Sequence, residues 1–171
     1  MSTPQPTGPN QGAPLQNVMP RSLGKNYLDP RIDAIDLTYY TTLVQALAPA
    51  ASLPSQINID AGTDFYWVAT TYQADVGEVA QTESSIVIPL VTVIITDTGS
   101  QRQLMNQATP ITNIAGPGER PYRLILPRLF RANSIITFNW TSYVTTGTTY
   151  GNIYLTMHGF RMPPGTPFAL G

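Results

Sequence analysis

Few residues in this chain have the chemistry that catalysis or metal binding requires. The sequence contains one histidine, His158, and no cysteine, which excludes a thiolate metal site and a cluster of histidine ligands within one copy. A Ser-His-Asp triad would need a serine and a carboxylate to converge on His158, and this residue lies on the outward phase of an alternating segment. The glycine-rich phosphate-binding motifs are also missing from the sequence. We therefore expect no enzyme activity and no cofactor.

One four-residue motif has the form of a catalytic loop. Asp97-Thr98-Gly99-Ser100 resembles the Asp-Thr-Gly loop of retroviral-type aspartic proteases, in which each of two chains supplies one carboxylate. Thr96 stands where that family has an apolar residue, and the chain lacks the family's later apolar-apolar-Gly pattern before a short helix. Asp, Gly and Ser are also common turn residues. We expect a turn that closes the preceding strand, and the protease is the alternative.

Arginines supply the one basic cluster. Four of them fall within a dozen residues, in a stretch that Pro121 and Pro127 would stiffen: Arg120, Arg123, Arg128 and Arg131. Arginine is favoured at interfaces because its planar guanidinium pairs bidentately with carboxylates and stacks on aromatic rings. We predict that this segment faces a neighbouring subunit. The acidic group from Asp60 to Glu83 is one plausible partner, either in another copy of the chain or mimicked on the surface of a partner protein.

Aromatic residues are dense around Phe65, Tyr66, Trp67 and Tyr72, and exposed rings of this kind can stack on sugars. Phe65 and Trp67 share one face of a strand, so we expect them in the core. Tyr66 and Tyr72 remain as surface or interface groups. A glycan- or receptor-binding domain is therefore an alternative function.

The composition favours a protein that works inside an assembly. Hydrophobic residues make up 42% of the chain and charged residues only 11%, well below the usual quarter. Thr, Ser, Asn and Gln fill the difference, and they suit outward strand faces and interfaces, where charge is depleted. The net charge of −1 gives no reason to expect binding to nucleic acid or an anionic membrane. The longest apolar run, Ile86 to Ile95, is about half the length needed to span a bilayer and is interpreted as a buried strand.

The first 36 residues differ from the rest of the chain. Six prolines and three glycines interrupt them, which prevents a persistent helix or ladder. We predict an extended N-terminal arm over residues 1–36 and one folded domain over residues 37–171. The N-terminus has no basic start or apolar stretch, so we expect synthesis in the cytoplasm. Tyr27 and Leu28 in the arm, and Tyr39 and Tyr40 where the domain begins, are further interface candidates.

Turn residues separate short segments rich in Val, Ile, Thr and aromatics, as in strands. Residues 35–50 are predicted to form a strand that leads into a short turn, although their pattern is less distinct than that of later segments. The strands predicted after them are 56–60, 64–72, 84–96, 102–105, 122–126, 134–143 and 151–160. The last two alternate cleanly, and we expect them to pair as a hairpin. Many short strands without a convincing helix predict an all-β antiparallel β-sandwich or jelly roll with the proline-rich arm.

From Leu47 to Met162 the order of motifs resembles small virion structural proteins of tailed bacteriophages. The motifs that carry the resemblance are Asp64-Phe65-Tyr66-Trp67, the I-T-D-T-G-S-x-R segment from Ile95 to Arg102, the proline-flanked stretch from Leu124 to Phe130, the N-S-x-I-T segment from Asn133 to Thr137, and the closing L-x-x-H-G-[FY]-[RK] segment from Leu155 to Arg161. The resemblance implies a capsid decoration (cement), head-fibre or neck component, often trimeric and jelly-roll-like, without enzyme activity.

The leading functional hypothesis is therefore capsid decoration in a virion. The sandwich would sit on the shell while the arm runs across adjacent major capsid proteins and ties them together. The chain would form a homo-oligomer, with a trimer favoured. A head-fibre, collar, neck or tail component, contacting other virion proteins, is the alternative within the structural class.

Overall fold

The computed structural model describes residues 36–77, 85–147 and 149–165. Within these ranges the chain forms nine β-strands: β1 (Asp36–Leu47), β2 (Ser52–Asn58), β3 (Asp64–Asp75), β4 (Val91–Asp97), β5 (Arg102–Gln103), β6 (Thr109–Pro110), β7 (Tyr122–Phe130), β8 (Ile135–Ser142) and β9 (Tyr150–Met162). A 3₁₀ turn, Ile111–Asn113, follows β6. No helix in these ranges has the length and apolar character to cross a membrane. The predicted arm, with Tyr27 and Leu28, lies outside the described residues except for Asp36, the first residue of β1.

The strands form two antiparallel sheets that share one core. In sheet A the order is β1-β9-β3-β7, and in sheet B it is β2-β8-β4-β5, with β6 also paired to β4. Alternation buries the inner face of each sheet: Ile136, Phe138 and Trp140 of β8 point inward, as the sequence predicts. Phe65 and Trp67 of β3 face them from sheet A as part of the same apolar cluster. The expectation of an all-β sandwich is confirmed.

The strand pairs are nested along the sequence. The first strand pairs with the ninth, the second with the eighth and the third with the seventh, while β4 pairs with β5 and β6. This is the pairing of one long antiparallel hairpin, rolled so that successive pairs alternate between the sheets. Further pairs, β3 with β9 and β4 with β8, complete the two sheets.

Polar side chains join the two sheets where β1 meets β2. The Thr42 hydroxyl of β1 donates to Ser55 Oγ of β2 over 2.6 Å, and Trp140 Nε1 donates to the same oxygen over 2.7 Å. Because β1 and β2 are terminal strands of their sheets, β7 and β5 occupy the opposite side of the sandwich. The fold therefore has two open sides, called here the β1 side and the β7 side.

The predicted hairpin between residues 134–143 and 151–160 is wrong. β8 pairs with β2 and β4 in sheet B, whereas β9 pairs with β1 and β3 in sheet A. Both strands alternate, and that pattern fits two strands facing each other across a core as well as two neighbours in one sheet. The chain after Ser142 crosses from one sheet to the other.

The apolar run from Ile86 to Ile95 is only partly a buried strand. Val91, Val93 and Ile95 are fully buried in β4, but Ile86 and Ile88 are 53% and 70% exposed. Ile86 forms an isolated bridge with the end of β3 in sheet A, so the residues before β4 pass between the sheets. Both alternating sets of positions in this run are apolar. The sequence pattern therefore does not distinguish such a crossing segment from a central strand.

Candidate interaction surface

The edge strand β7 is interrupted by a four-residue excursion. On β3, Trp67 pairs with Arg128 and Ala69 pairs with Arg123, so four residues of β7 lie opposite Val68 alone. These residues, called here the β7 tip, are Leu124, Ile125, Leu126 and Pro127. An insertion of this kind bends the strand and breaks its main-chain ladder.

The partner strand β3 is bulged at the same point. Val68 is an extra residue with respect to β9, because Trp67 and Ala69 pair with the consecutive residues Gly159 and His158. The Trp67 indole Nε1 donates to the Ala69 carbonyl and to Thr70 Oγ1, each over 2.9 Å, which holds the bulge in place. Opposite it, a Cβ atom at Gly159 would collide with a β3 carbonyl oxygen, so the close approach requires glycine. The position of the β7 tip is thus set by buried residues of sheet A.

The β7 tip presents large apolar side chains to solvent. Ile125 is 99% exposed and Leu126 is 65% exposed, whereas Leu124 packs against the core. An isoleucine that makes no contact with its own domain contributes nothing to domain stability through burial. Adjacent large apolar side chains exposed to this degree indicate a contact surface.

Four arginines on the β7 side form no ion pair with described residues. Arg120 precedes β7, Arg123 and Arg128 flank the tip within β7, and Arg102 lies in β5 on the same side of the sandwich. None of these four, called here the arginine set, forms an ion pair within the described part of the chain. Three of the set were predicted at an interface from sequence, and the structure places them together on the β7 side.

The fourth predicted arginine, Arg131, has a partner within the chain. Its Nη1 lies 2.9 Å from Oδ2 of Asp64, a carboxylate whose side chain is only 2% exposed. In the same acidic group, Asp60 Oδ2 pairs with Arg161 at 2.6 Å. We predicted the acidic group as a partner for arginines of another subunit. Two of its members, Asp60 and Asp64, instead form ion pairs within the domain.

Asp64 organises the end of the sandwich where β3 begins. Its carboxylate accepts hydrogen bonds from the amides of Ala132 and Gly165, at 2.9 and 3.1 Å, in addition to Arg131. Desolvation alone would raise the pKa of Asp64, but these donors outweigh it and hold the pKa below its ordinary value of 3.8. Asp64 is therefore a structural anion at neutral pH.

The Asp97 motif forms a turn between β4 and β5, as the turn interpretation predicts. Asp97 is buried, and its Oδ1 accepts the amides of Gly99 and Ser100 at 3.0 and 3.3 Å. Its Oδ2 accepts the Ser100 hydroxyl at 2.6 Å. A Cβ at Gly99 would lie 2.7 Å from the Cβ of Ser134. Both carboxylate oxygens hold the turn, which accounts for the motif without a reaction.

His158 lies in a polar ladder on the outer face of sheet A. Its Nε2 is 2.8 Å from Thr71 Oγ1, and partial burial lowers its pKa from 6.5. A shallow groove of about 430 Å³ lies beside it; its walls include Thr41, Thr71 and Tyr154. The described residues contain no group of three or more His, Cys, Asp or Glu side chains that could hold a metal ion.

The predicted tyrosines have different environments. Tyr39 is 62% exposed and meets His158 edge-on, with ring centroids 5.0 Å apart. Tyr40 is half-buried, and its hydroxyl donates to Asp60 Oδ2 over 3.2 Å. Tyr66, expected at the surface, is buried because its ring stacks on Phe160. Tyr72, also expected at the surface, packs partly against the core, because the β3 bulge at Val68 reverses which of the later residues face outward.

Sequence reasoning missed Arg102 and the exposed pair Ile125 and Leu126. The signal for the pair was present: residues 124–126 are apolar on both phases of an edge strand and are followed by Pro127, which suits edges and bulges. Arg102 is distant in sequence from the other arginines, and only the pairing of β5 with the end of β4 brings it to the β7 side.

Comparison of the chain with protein-family models, with curated proteins and with solved structures finds no match.

Proposed function

We propose that this chain is a structural protein of a virus particle, and that it decorates the capsid by docking its β7 side on neighbouring subunits while the arm extends across them. The observation that carries the proposal is the exposed apolar β7 tip, flanked within β7 by Arg123 and Arg128. Such a surface costs solubility in a free monomer, so its function is to be covered.

The nested pairing supports a jelly-roll interpretation of the sandwich. Eight or so antiparallel strands, paired first with last and alternating between two sheets, form the architecture common in capsid and lectin domains. Fold alone does not establish function, so this argument only makes a virion role and a glycan-binding role more plausible than most others.

The low surface charge supports a role inside an assembly. β2 and β8 contain no charged residue, and Asp97, the one charged residue of β4, is buried. Across β2, β8 and β4, the outer face of sheet B is therefore made of uncharged side chains. Such a face can lie against another protein without stranding a buried charge.

The β7 side combines exposed apolar side chains with arginines, and arginine is enriched at interfaces. Ile125 and Leu126 would fill an apolar pocket, while Arg123 and Arg128 on either side pair with carboxylates at its rim. The partner is therefore an acidic protein surface with an apolar depression. The broken ladder of β7 disfavours strand addition there, so recognition on this side relies on side chains.

Substitution of the β7 tip tests the proposal. Ile125→Ser with Leu126→Ser should leave the domain folded, because both side chains are exposed, and should reduce the number of copies retained on purified particles by roughly tenfold or more. Ile86→Ser with Ile88→Ser is the matched control, since these exposed apolar residues belong to a different part of the surface; it should retain normal occupancy. Full occupancy by the tip variant would contradict docking through the β7 side.

Copy number separates the structural alternatives. Quantitative mass spectrometry of particles should find hundreds of copies for a decoration protein and on the order of ten for a head-fibre, neck or tail component. Absence of the chain from particles would contradict the whole class.

The groove on sheet A supports a second candidate, a glycan-binding domain. Its walls are uncharged and contain the hydroxyls of Thr41, Thr71, Tyr154 and Thr156, which suit hydrogen bonding to sugar hydroxyls. Selective binding on a glycan array, lost in Thr71→Val, would favour this function. The Asp97 protease is the remaining alternative, for which Asp97→Asn should abolish cleavage.

A further inference from the structure

The four terminal strands of the two sheets differ in how their open edges are protected. Natural sheets prevent unwanted edge pairing with proline, charge, bulges or short strands. In this sandwich β2 is protected by Pro54, and β5 is only two residues long. β7 is protected by the β7 tip, which includes Pro127, and by its arginines. β1 has none of these devices over Tyr39–Gln45.

The open edge of β1 is long and regular. Within the described residues, no strand pairs with it on the side away from β9. Regular extended backbone ends at Ala46, which has a φ of +53°. The seven residues from Tyr39 to Gln45, called here the β1 edge, therefore form a regular strand edge that no described strand pairs with.

We infer that the β1 edge pairs with the β1 edge of a second copy, antiparallel about a two-fold axis, so that the two A sheets form one continuous sheet. A two-fold contact places equivalent surfaces opposite each other, and a charged edge would then face its own charge. The β1 edge contains no charged residue, so it meets this requirement.

The length of the edge determines the register. Its midpoint is Thr42, so pairing of all seven residues sets Thr42 opposite its equivalent and Thr41 opposite Leu43 of the other copy. Thr41 and Leu43 both point to the outer face, where they are exposed. The contact therefore adds cross-strand apolar and hydroxyl contacts to the main-chain hydrogen bonds.

The N-terminal arm is a poorer occupant of this edge. Its longest proline-free stretch, residues 21–29, contains Gly24 and the charged residues Arg21, Lys25 and Asp29. Glycine and charge both weaken a strand, and those charges would lie beside uncharged residues. The inferred contact gives a dimer, in place of the trimer that the family resemblance implies, and it does not depend on the proposed function.

Cysteine cross-linking of the full chain tests the register. The chain has no cysteine, so Thr41→Cys with Leu43→Cys introduces the only thiols, and residues two apart on one strand are too distant to join each other. Mild oxidation should convert most of the protein to a disulfide-linked dimer on a non-reducing gel. Gln56→Cys with Asn58→Cys on the exposed face of β2 is the control and should stay monomeric on the gel. Equal cross-linking in both variants, or none at the β1 edge, would overturn the inference.

A charge variant tests the contact without cross-linking. Thr41→Lys with Leu43→Lys places lysines of the two copies opposite each other and should weaken the dimer by roughly tenfold or more in sedimentation equilibrium, with an unchanged circular dichroism spectrum. A wild-type chain that sediments as a monomer or a trimer would contradict the two-fold pairing, whatever its binding to particles.

Discussion

The two open sides of the sandwich differ in what they offer a partner. On the β7 side the main-chain ladder is broken by the β7 tip, and side chains project: an exposed isoleucine with arginines on either side. On the β1 side the side chains are small or uncharged, and the backbone of the β1 edge is open. Side-chain surfaces discriminate by shape and charge, whereas a strand edge accepts many sequences. The β7 side is therefore suited to a specific foreign partner and the β1 side to a copy of itself.

Charge follows the same division. The two arginines with described ion pairs, Arg131 and Arg161, hold carboxylates at the end of the sandwich where β3 begins, and the arginine set lies on the β7 side. The same residue type is thus structural in one region and available for binding in another. Substitutions can separate these two roles.

The largest difference in stability is expected between variants at two arginines that are close in sequence, Arg128 and Arg131. Arg131→Glu removes the charged donor to Asp64 and adds a carboxylate beside it, so it should lower the free energy of unfolding by about 2 kcal/mol. Arg128→Glu should change it by about 0.5 kcal/mol and instead reduce attachment to a partner. Urea unfolding of both variants measures the difference. Equal losses would show that Arg128 is also engaged inside the domain and would move the boundary of the binding surface.

A smaller effect on the free energy of unfolding is expected when the pH is lowered. Because the pKa of Asp64 is lowered in the folded state, the unfolded chain takes up its proton first as pH falls. The stability that the ionised carboxylate contributes is fully present well above pH 3.8 and is lost as pH falls from that value through the lower folded pKa. Urea unfolding between about pH 5 and pH 2 should therefore show a decline that is shallower in Asp64→Asn. The same slope in both proteins would exclude Asp64 as its source.

The smallest effect is expected on self-association, when the edge of β2, the second terminal strand on the β1 side, is made able to pair. Pro54 has no amide hydrogen to donate to an added strand, so Pro54→Thr removes the protection of β2. The variant should stay folded but self-associate a few-fold more strongly than wild type by light scattering. Gln56→Thr, which alters an exposed β2 residue and keeps the proline, is the control. No change in association would show that Pro54 does not limit pairing.

Local features of this molecule could be read from sequence, and non-local ones could not. Alternation in β8 identified Ile136, Phe138 and Trp140 as inward residues because period two has one structural meaning. It could not identify the neighbours of β8, since any alternating strand offers the same apolar face. The arginine cluster likewise predicted a surface, but the separation of Arg131 from the others depends on Asp64, which lies 67 positions earlier.

The nested pairing also means that strands synthesised early must wait for strands synthesised late before they can pair. Asp36 of β1 lies opposite Arg161 of β9, so the earliest of the described strands is completed by the one that is synthesised last among them. Contacts of such long sequence separation form slowly because a large loop must close first. During that interval both edges of β1 are exposed, and two nascent chains on one message could join through them before either sandwich is complete. The same feature that closes the fold thus makes the local concentration of unfinished chains a determinant of yield.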